Sequence, residues 1–277
     1  MARRCVIAGV LAVSLALLSG CETVNTTAPG AVGIEREQKM LVSEQDVEQG
    51  AAQAYAQELN KARKQGTLNK NKEDLKRVST ISQRLSPQVA VFRPDALNWD
   101  WEINVQASKE LNAYCMPGGK IMVYSGLIHQ LDLSDAELSA VIGHEISHAL
   151  REHGRERASQ QMAAGVGATL AGAVANIFLP GSGQLATQGA ALGSQVGVLL
   201  PYSRVQETEA DRMGVELAAR AGYDPRAAIA LWQKMAKLSG GSAPPQMLST
   251  HPSSEARIKD LTEFAQKVLP LYEKARV

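Results

Sequence analysis

Aromatic residues are scarce in this 277-residue chain: three Phe, three Trp and six Tyr make up 4% of it. That scarcity disfavours a large β-sandwich, whose sheets are stabilised by aromatic and β-branched cross-strand pairs. With 23 Gly and abundant Ala, the composition favours closely packed helices. Charge of one sign is not in excess either. The net charge of +1 gives no electrostatic footprint for a nucleic-acid partner, so none is expected. Cysteine is nearly absent, at three residues, which excludes a disulfide-stapled scaffold. No internal repeat is present, and no apolar run combines the length and purity of a transmembrane helix, which needs ~20 residues. With 45% hydrophobic and 21% charged residues, the chain can bury a full-sized core as one domain or a closely joined pair.

The first 20 residues carry a positive n-region, Arg3-Arg4, and a short apolar stretch from Val6 to Leu18. This is the pattern of an export signal, and its loss leaves the balance slightly negative. The stretch ends in Leu18-Ser19-Gly20-Cys21, which resembles a bacterial lipobox. The resemblance implies that Cys21 becomes the lipidated first residue and that Glu22 after it directs the protein to the outer membrane. Two or more acyl chains would make such an anchor stable. Cys5 would leave with the signal, so Cys115 would remain as a lone packing thiol without an intramolecular disulfide. The expected organisation is a signal at 1–20, a tether at 21–38 and one catalytic domain at 39–277.

Lys-, Glu- and Gln-rich helical patterns cover about 40–65 and 72–86. From about Trp99 to Tyr124 the pattern changes to alternation, interrupted by Pro117-Gly118-Gly119, and predicts a small antiparallel sheet. Ser134-Asp135-Ala136-Glu137 is a capping box opening a helix for which Gly154 is a plausible stop. The stretch from Ala158 to Ser203 contains no charged residue. It reads as a pair of packed helices, with a movable lid or a membrane contact as sharper alternatives. A second capping box, Ser203-Arg204-Val205-Gln206, opens a helix to about Ala221, and Asp224-Pro225 opens another to about Leu238. A last helix spans about Ser253 to Lys274.

His144-Glu145-Ile146-Ser147-His148 lies inside the first capped helix. Residues four apart share a helix face, so His144 and His148 can share one metal ion. Glu145 falls beside them, where a carboxylate could take a proton from a water activated by the metal. It also lies at the edge of the apolar stripe, where an ionised carboxylate is costly without a partner. A catalytic zinc has three protein ligands as a rule, so a third is needed. His153, about 140° around a continuous helix from His148, cannot turn back to the same ion. His129 has no motif around it, which leaves His251 and the carboxylates. Glu207 and Asp211 form E-x-x-x-D on one face of a helix. Glu207 can bind the metal while Asp211 accepts the ring N–H of a ligand histidine.

Four motifs occur in fixed order. They are Asn112-Ala113 with Pro117-Gly118-Gly119-Lys120-Ile121 and Gly126-Leu127, then His144–His148, then Ser203-Arg204 with Glu207-Thr208-Glu209-Ala210-Asp211, and then Thr250-His251-Pro252 with Arg257-Ile258. Together they resemble the HtpX-like and CAAX-prenyl-endopeptidase-type gluzincin metallopeptidases over roughly Leu75 to Phe264, most of all the periplasmic lipoprotein (BepA-type) branch. No C-terminal repeat extension is expected, since the sequence runs only to Val277. The resemblance implies an α+β, mainly helical zincin domain with a small antiparallel sheet whose edge strand, placed at Lys120–Tyr124, borders the active site. It implies one Zn2+ per chain on His144, His148 and Glu207, with Glu145 as base and Asp211 in support. The residues matching His251 and Arg257 would line the site for the oxyanion or for regulation. The implied function is a zinc endopeptidase for unfolded or misassembled envelope proteins, outer-membrane proteins or their assembly machinery among its partners, held by lipid on Cys21 at the periplasmic face of the outer membrane. The alternative is a periplasmic chaperone or assembly factor with latent protease activity.

Overall fold

Ser134 and Ser203 each accept from the backbone N–H three residues on, while Glu137 and Gln206 return the bond to the cap residue, so both sequence-read capping boxes are complete. The computed structural model describes residues 22–163, 202–238, 246–251 and 255–276. The signal at 1–20, Cys21 and most of the uncharged stretch, residues 164–201, lie outside the described residues. Those described form two short strands, β1 (Glu22–Val24) and β2 (Gln38–Met40), then helices α1 (Glu44–Lys64) and α2 (Lys72–Leu85). Two 3-10 turns lead to the sheet β3 (Glu102–Gln106), β4 (Ala113–Met116) and β5 (Lys120–Tyr124). After α3 (Ser125–Gln130) come α4 (Asp135–Leu150), α5 (His153–Ala163), α6 (Arg204–Arg220), α7 (Ala227–Leu238), α8 (Gln246–Thr250) and α9 (Glu255–Ala275).

The fold is α+β and mainly helical, with the sheet small, as expected. The strand order is β3-β5-β4, with β4–β5 antiparallel and β3–β5 parallel. Lys120–Tyr124 is therefore the central strand, and the edge beside α4 is β4. Alternation reports which side chains face the core but says nothing of strand order. Val123 pairs with Val105 on one side and Ala113 on the other. The Pro117-Gly118-Gly119 turn is as expected, Gly118 and Gly119 taking φ of 76° and 81°.

Helices α4 and α6 cross at Gly143 and Gly214. A Cβ on Gly214 would stand 2.9 Å from His144 N and 3.1 Å from Gly143 C, all backbone, so only glycine allows this approach. The crossing lies one residue before His144 and three after Asp211, and it sets the spacing between the two motifs. Below them, Leu138, Val141, Ile142, Met213 and Leu217 join the main core with Phe92, Leu127 and Trp232.

Two local features differ from the sequence reading. The α4 helix stops at Leu150, and Glu152 takes a φ of 51° without being glycine. Gly154 lies inside α5 instead. The break is stabilised by side chains: Glu152 accepts from Arg93 at 2.7 Å and from Arg155 at 2.8 Å. The second difference is the segment expected as a tether. From Glu22 to Val42 it lies across the body as a strap. Gln38, fully buried, donates to Arg151 O and to Glu156, while Arg151 donates to Asn25 and to the Arg36 carbonyl. Glu216 accepts from the N–H groups of Ala31 and Val32. Polar tethering of this kind leaves no apolar periodicity to read.

Arg36 forks onto Glu156 at 2.5 and 2.9 Å. Burial would raise the Glu156 carboxyl, but Arg36, Gln206 and Gln38 outweigh it and hold it below the usual range. A depressed carboxyl stabilises the fold above its unfolded-state value, near pH 4.5, and that stability fades as pH falls through the folded value. Glu156→Gln is expected to cost about 2 kcal/mol at pH 7, with the deficit in thermal midpoint shrinking as pH falls below about 4.5. A constant deficit at every pH would mean that the charge contributes nothing.

Candidate metal centre

Four buried side chains turn donor atoms toward one point. His144, His148, Glu207 and His251 each offer an atom within 4.8 Å of every other. The Nε2 atoms of His144 and His148 are 3.1 Å apart, and His251 Nδ1 is 3.2 Å from His144 Nε2. Glu207 places Oε1 at 3.4 Å from His148 and 2.9 Å from His251, and Oε2 at 3.6 Å from His144. Ligands about 2.1 Å from a tetrahedral zinc stand roughly 3.4 Å from one another. The donor set therefore has both the chemistry and the dimensions of a zinc site. His251, expected only to line the site, stands among the donors. It comes from the residue after α8, where its N–H donates to Met247 O.

Glu145 is 4% exposed, and its Oε1 has no hydrogen-bond partner. That oxygen is 3.7 Å from His251 Nε2. Burial raises the Glu145 carboxyl above its ordinary value, with His251 and His144 offsetting part of the rise. Burial also drives His148 well below the ordinary imidazole value, which keeps it unprotonated and able to ligate. Glu207 is raised by burial, but His251 and His148 outweigh this and hold it well below the carboxylate range.

Asp211 Oδ1 is 3.0 Å from His144 Nδ1. Arg257 then grips the acidic pair. Its Nε and Nη2 donate to the two Asp211 oxygens at 2.7 and 2.8 Å, and its Nη1 is 2.8 Å from Glu207 Oε2. The guanidinium also lies 3.9 Å over the Trp232 ring. These contacts aim Arg257 at the carboxylates rather than at an oxyanion position. Tyr202 stacks on His148 with centroids 4.0 Å apart, beneath Arg157.

Cys115 is 8% exposed within the core and its thiol is pushed well up by burial, as befits packing. His129 is remote from the cluster and meets Asp74 instead. Sequence reasoning missed His153, Glu209 and Arg36, which follow one another outward from His148. The signal for Glu209 was its place two residues after Glu207, but an acidic helix face accounts for that spacing as readily. His153 was set aside on the assumption of a continuous helix. The break at Arg151–Glu152 lets it turn back toward His148 without entering the donor set.

A His-Glu-x-x-His helix crossed by a Glu-x-x-x-Asp helix, beside a small sheet, defines a zincin-type metallopeptidase domain. The chain belongs to Peptidase family M48, whose profile matches residues 72–265. It is 38% identical over 178 residues to "Mitochondrial metalloendopeptidase OMA1" of Arabidopsis thaliana, covering 64% of this chain and 34% of that protein. Over 186 residues it is 36% identical to the protein of that name from Schizosaccharomyces pombe, covering 66% and 52%. To the "Beta-barrel assembly-enhancing protease" of Yersinia pestis it is 31% identical over 199 residues, covering 70% and 39%. The chain spans about a third to a half of the length of these relatives. Among the described residues no helix is long and apolar enough to cross a membrane.

Proposed function

We propose that this chain is a zinc endopeptidase that cleaves unfolded or misassembled polypeptides of the bacterial cell envelope. The observation that carries the reading is the convergence of four buried donors beside an unpartnered, buried glutamate oxygen. His144, His148 and Glu207 would hold the ion. Zinc supplies Lewis acidity there, polarising a peptide carbonyl and making water nucleophilic at neutral pH. Glu145 takes the proton of the attacking water on its free Oε1 and passes it to the departing amine. Asp211 fixes the His144 ring, and Arg257 holds Asp211 and Glu207 in register. Substrate lies along β4, the edge strand beside α4, as an added extended strand whose backbone bonds give affinity without strict sequence preference. Cys21 would carry the lipid anchor at the outer membrane, with the domain in the periplasm. The relatives include both mitochondrial and bacterial proteins by name, and the signal-like N-terminus with Leu18-Ser19-Gly20-Cys21 favours the envelope.

One observation favours a second reading, an assembly factor with latent protease activity. With His251 among the donors, four protein atoms are available, which is the number that closes a structural zinc site. The test is cleavage of an unfolded polypeptide such as reduced casein by residues 22–277. It is run as isolated, after chelation, and after return of one equivalent of zinc. Cleavage lost and regained with zinc is the expected result. One bound zinc per chain without cleavage favours the latent factor, and no zinc binding removes both readings.

A further inference from the structure

A metal-binding imidazole needs its outer nitrogen held, or the ring turns away from the ion. For His144 the group facing that nitrogen is Asp211, with Oδ1 at 3.0 Å. What faces His148 Nδ1, at 2.8 Å, is His153 Nδ1. On the far side of that ring, His153 Nε2 is 2.9 Å from Glu209 Oε2. The tautomers follow from these two distances. His148 turns Nε2 toward the other donors, so its ring proton is on Nδ1 and is donated to His153 Nδ1. His153 accepts there, carries its own proton on Nε2 and donates it to the Glu209 carboxylate. Glu209 is fixed in turn by Arg36, whose Nε and Nη2 donate to its two oxygens at 2.8 and 2.9 Å.

We propose that His153 is a positioning residue for His148, a histidine interposed between the ligand and Glu209, and that Arg36 of the N-terminal strap completes the arrangement by anchoring Glu209. The inference rests on the reading of His144, His148 and Glu207 as zinc ligands. His153 is fully buried, and Glu209 is 5% exposed. Glu209 faces the His153 ring with Oε2 at 2.9 Å while both of its oxygens accept from Arg36, the setting of a carboxylate anion. A histidine serving only to fill the core would not need both nitrogens aimed at a ligand and a fixed carboxylate. Arg36 lies more than a hundred residues before either partner, and its guanidinium also grips Glu156.

The test compares His153→Leu with His153→Gln in residues 22–277, reading zinc affinity and release rate against a chromophoric chelator. Glutamine can accept from His148 through its carbonyl and donate to Glu209 through its amide, whereas leucine can do neither. The leucine protein is expected to bind zinc about 10- to 100-fold more weakly, with unchanged far-ultraviolet circular dichroism. The glutamine protein should stay within about threefold of wild type, and Arg36→Gln should weaken binding about 3- to 10-fold. Cobalt-loaded leucine protein should show shifted visible bands. If the leucine and glutamine proteins bind alike, whether as tightly as wild type or equally weakened, the proposal is overturned. Should the leucine protein not fold, Glu209→Gln carries the test, and a wild-type release rate there also overturns it. Wild type that binds no zinc would refute the metal reading itself, a result distinct from these.

Discussion

Glu145→Gln is expected to lower the rate of peptide cleavage by about 10³-fold, or about 4 kcal/mol of barrier, while the protein still binds one zinc. The side chain is nearly isosteric, but the amide oxygen cannot take a proton from water. Glu145 is not among the four converging donors, so the ion should remain. A second signature separates catalysis from packing. Glu145 is buried with Oε1 unpartnered, and burial raises its carboxyl, so its ionised form destabilises the fold at neutral pH. The metal-free glutamine protein should therefore unfold at a temperature no lower than wild type. Cleavage at the wild-type rate by the glutamine protein would remove Glu145 as the base. Loss of zinc together with activity would instead make it part of the ligand framework.

The second large effect is expected far from any reacting group. On propensity alone, Gly214→Ala should stabilise a helix interior by roughly 1 kcal/mol. Here the added methyl would stand 2.9 Å from His144 N and 3.1 Å from Gly143 C, against rigid backbone. Overpacking of this kind costs about 1–3 kcal/mol, so the crossing decides the sign and the net result is a loss. Separation of α4 from α6 also moves Glu207 and Asp211 away from His144 and His148. Zinc affinity should fall at least about tenfold, since supporting contacts contribute on that scale. Thermal unfolding and zinc competition on the same protein check both parts. A raised midpoint would show that the helices can part without cost.

Much of the site was legible because its chemistry is local. The four-residue spacing of His144 and His148, and that of Glu207 and Asp211, follow from helix geometry and are visible in any linear reading. The two capping boxes fixed the starts of α4 and α6 to the residue. What stayed hidden depends on partners distant in sequence. The break after α4 occurs at Arg151 and Glu152, neither a glycine nor a proline, and is held by Arg93 from far upstream. Gly154, two residues on, offered a more conventional stop. Strand order in the sheet escaped for the same reason, because alternation in β5 is the same whether it lies at the edge or in the centre. His251 could not be placed among the donors, since a loop residue has no periodicity to give its direction. Arg36 was invisible because its partners Glu156 and Glu209 lie more than a hundred residues away.

That same separation sets the order in which the centre can be assembled. The strap is made before the rest of the domain, but its partners on α5 and α6 emerge only after the whole sheet. His251 and Arg257 come later still, from the C-terminal part of the chain. A growing polypeptide thus holds Arg36 for more than a hundred residues before Glu156 exists to receive it, and non-local pairings of this kind are the slow ones in folding. Domain folding during synthesis proceeds from the N-terminus, yet His251 joins the other three donors only after α8 has been made. The grip of Arg257 on Asp211 and Glu207 comes a few residues later again, so the metal centre is completed late although its first two histidines are made well before.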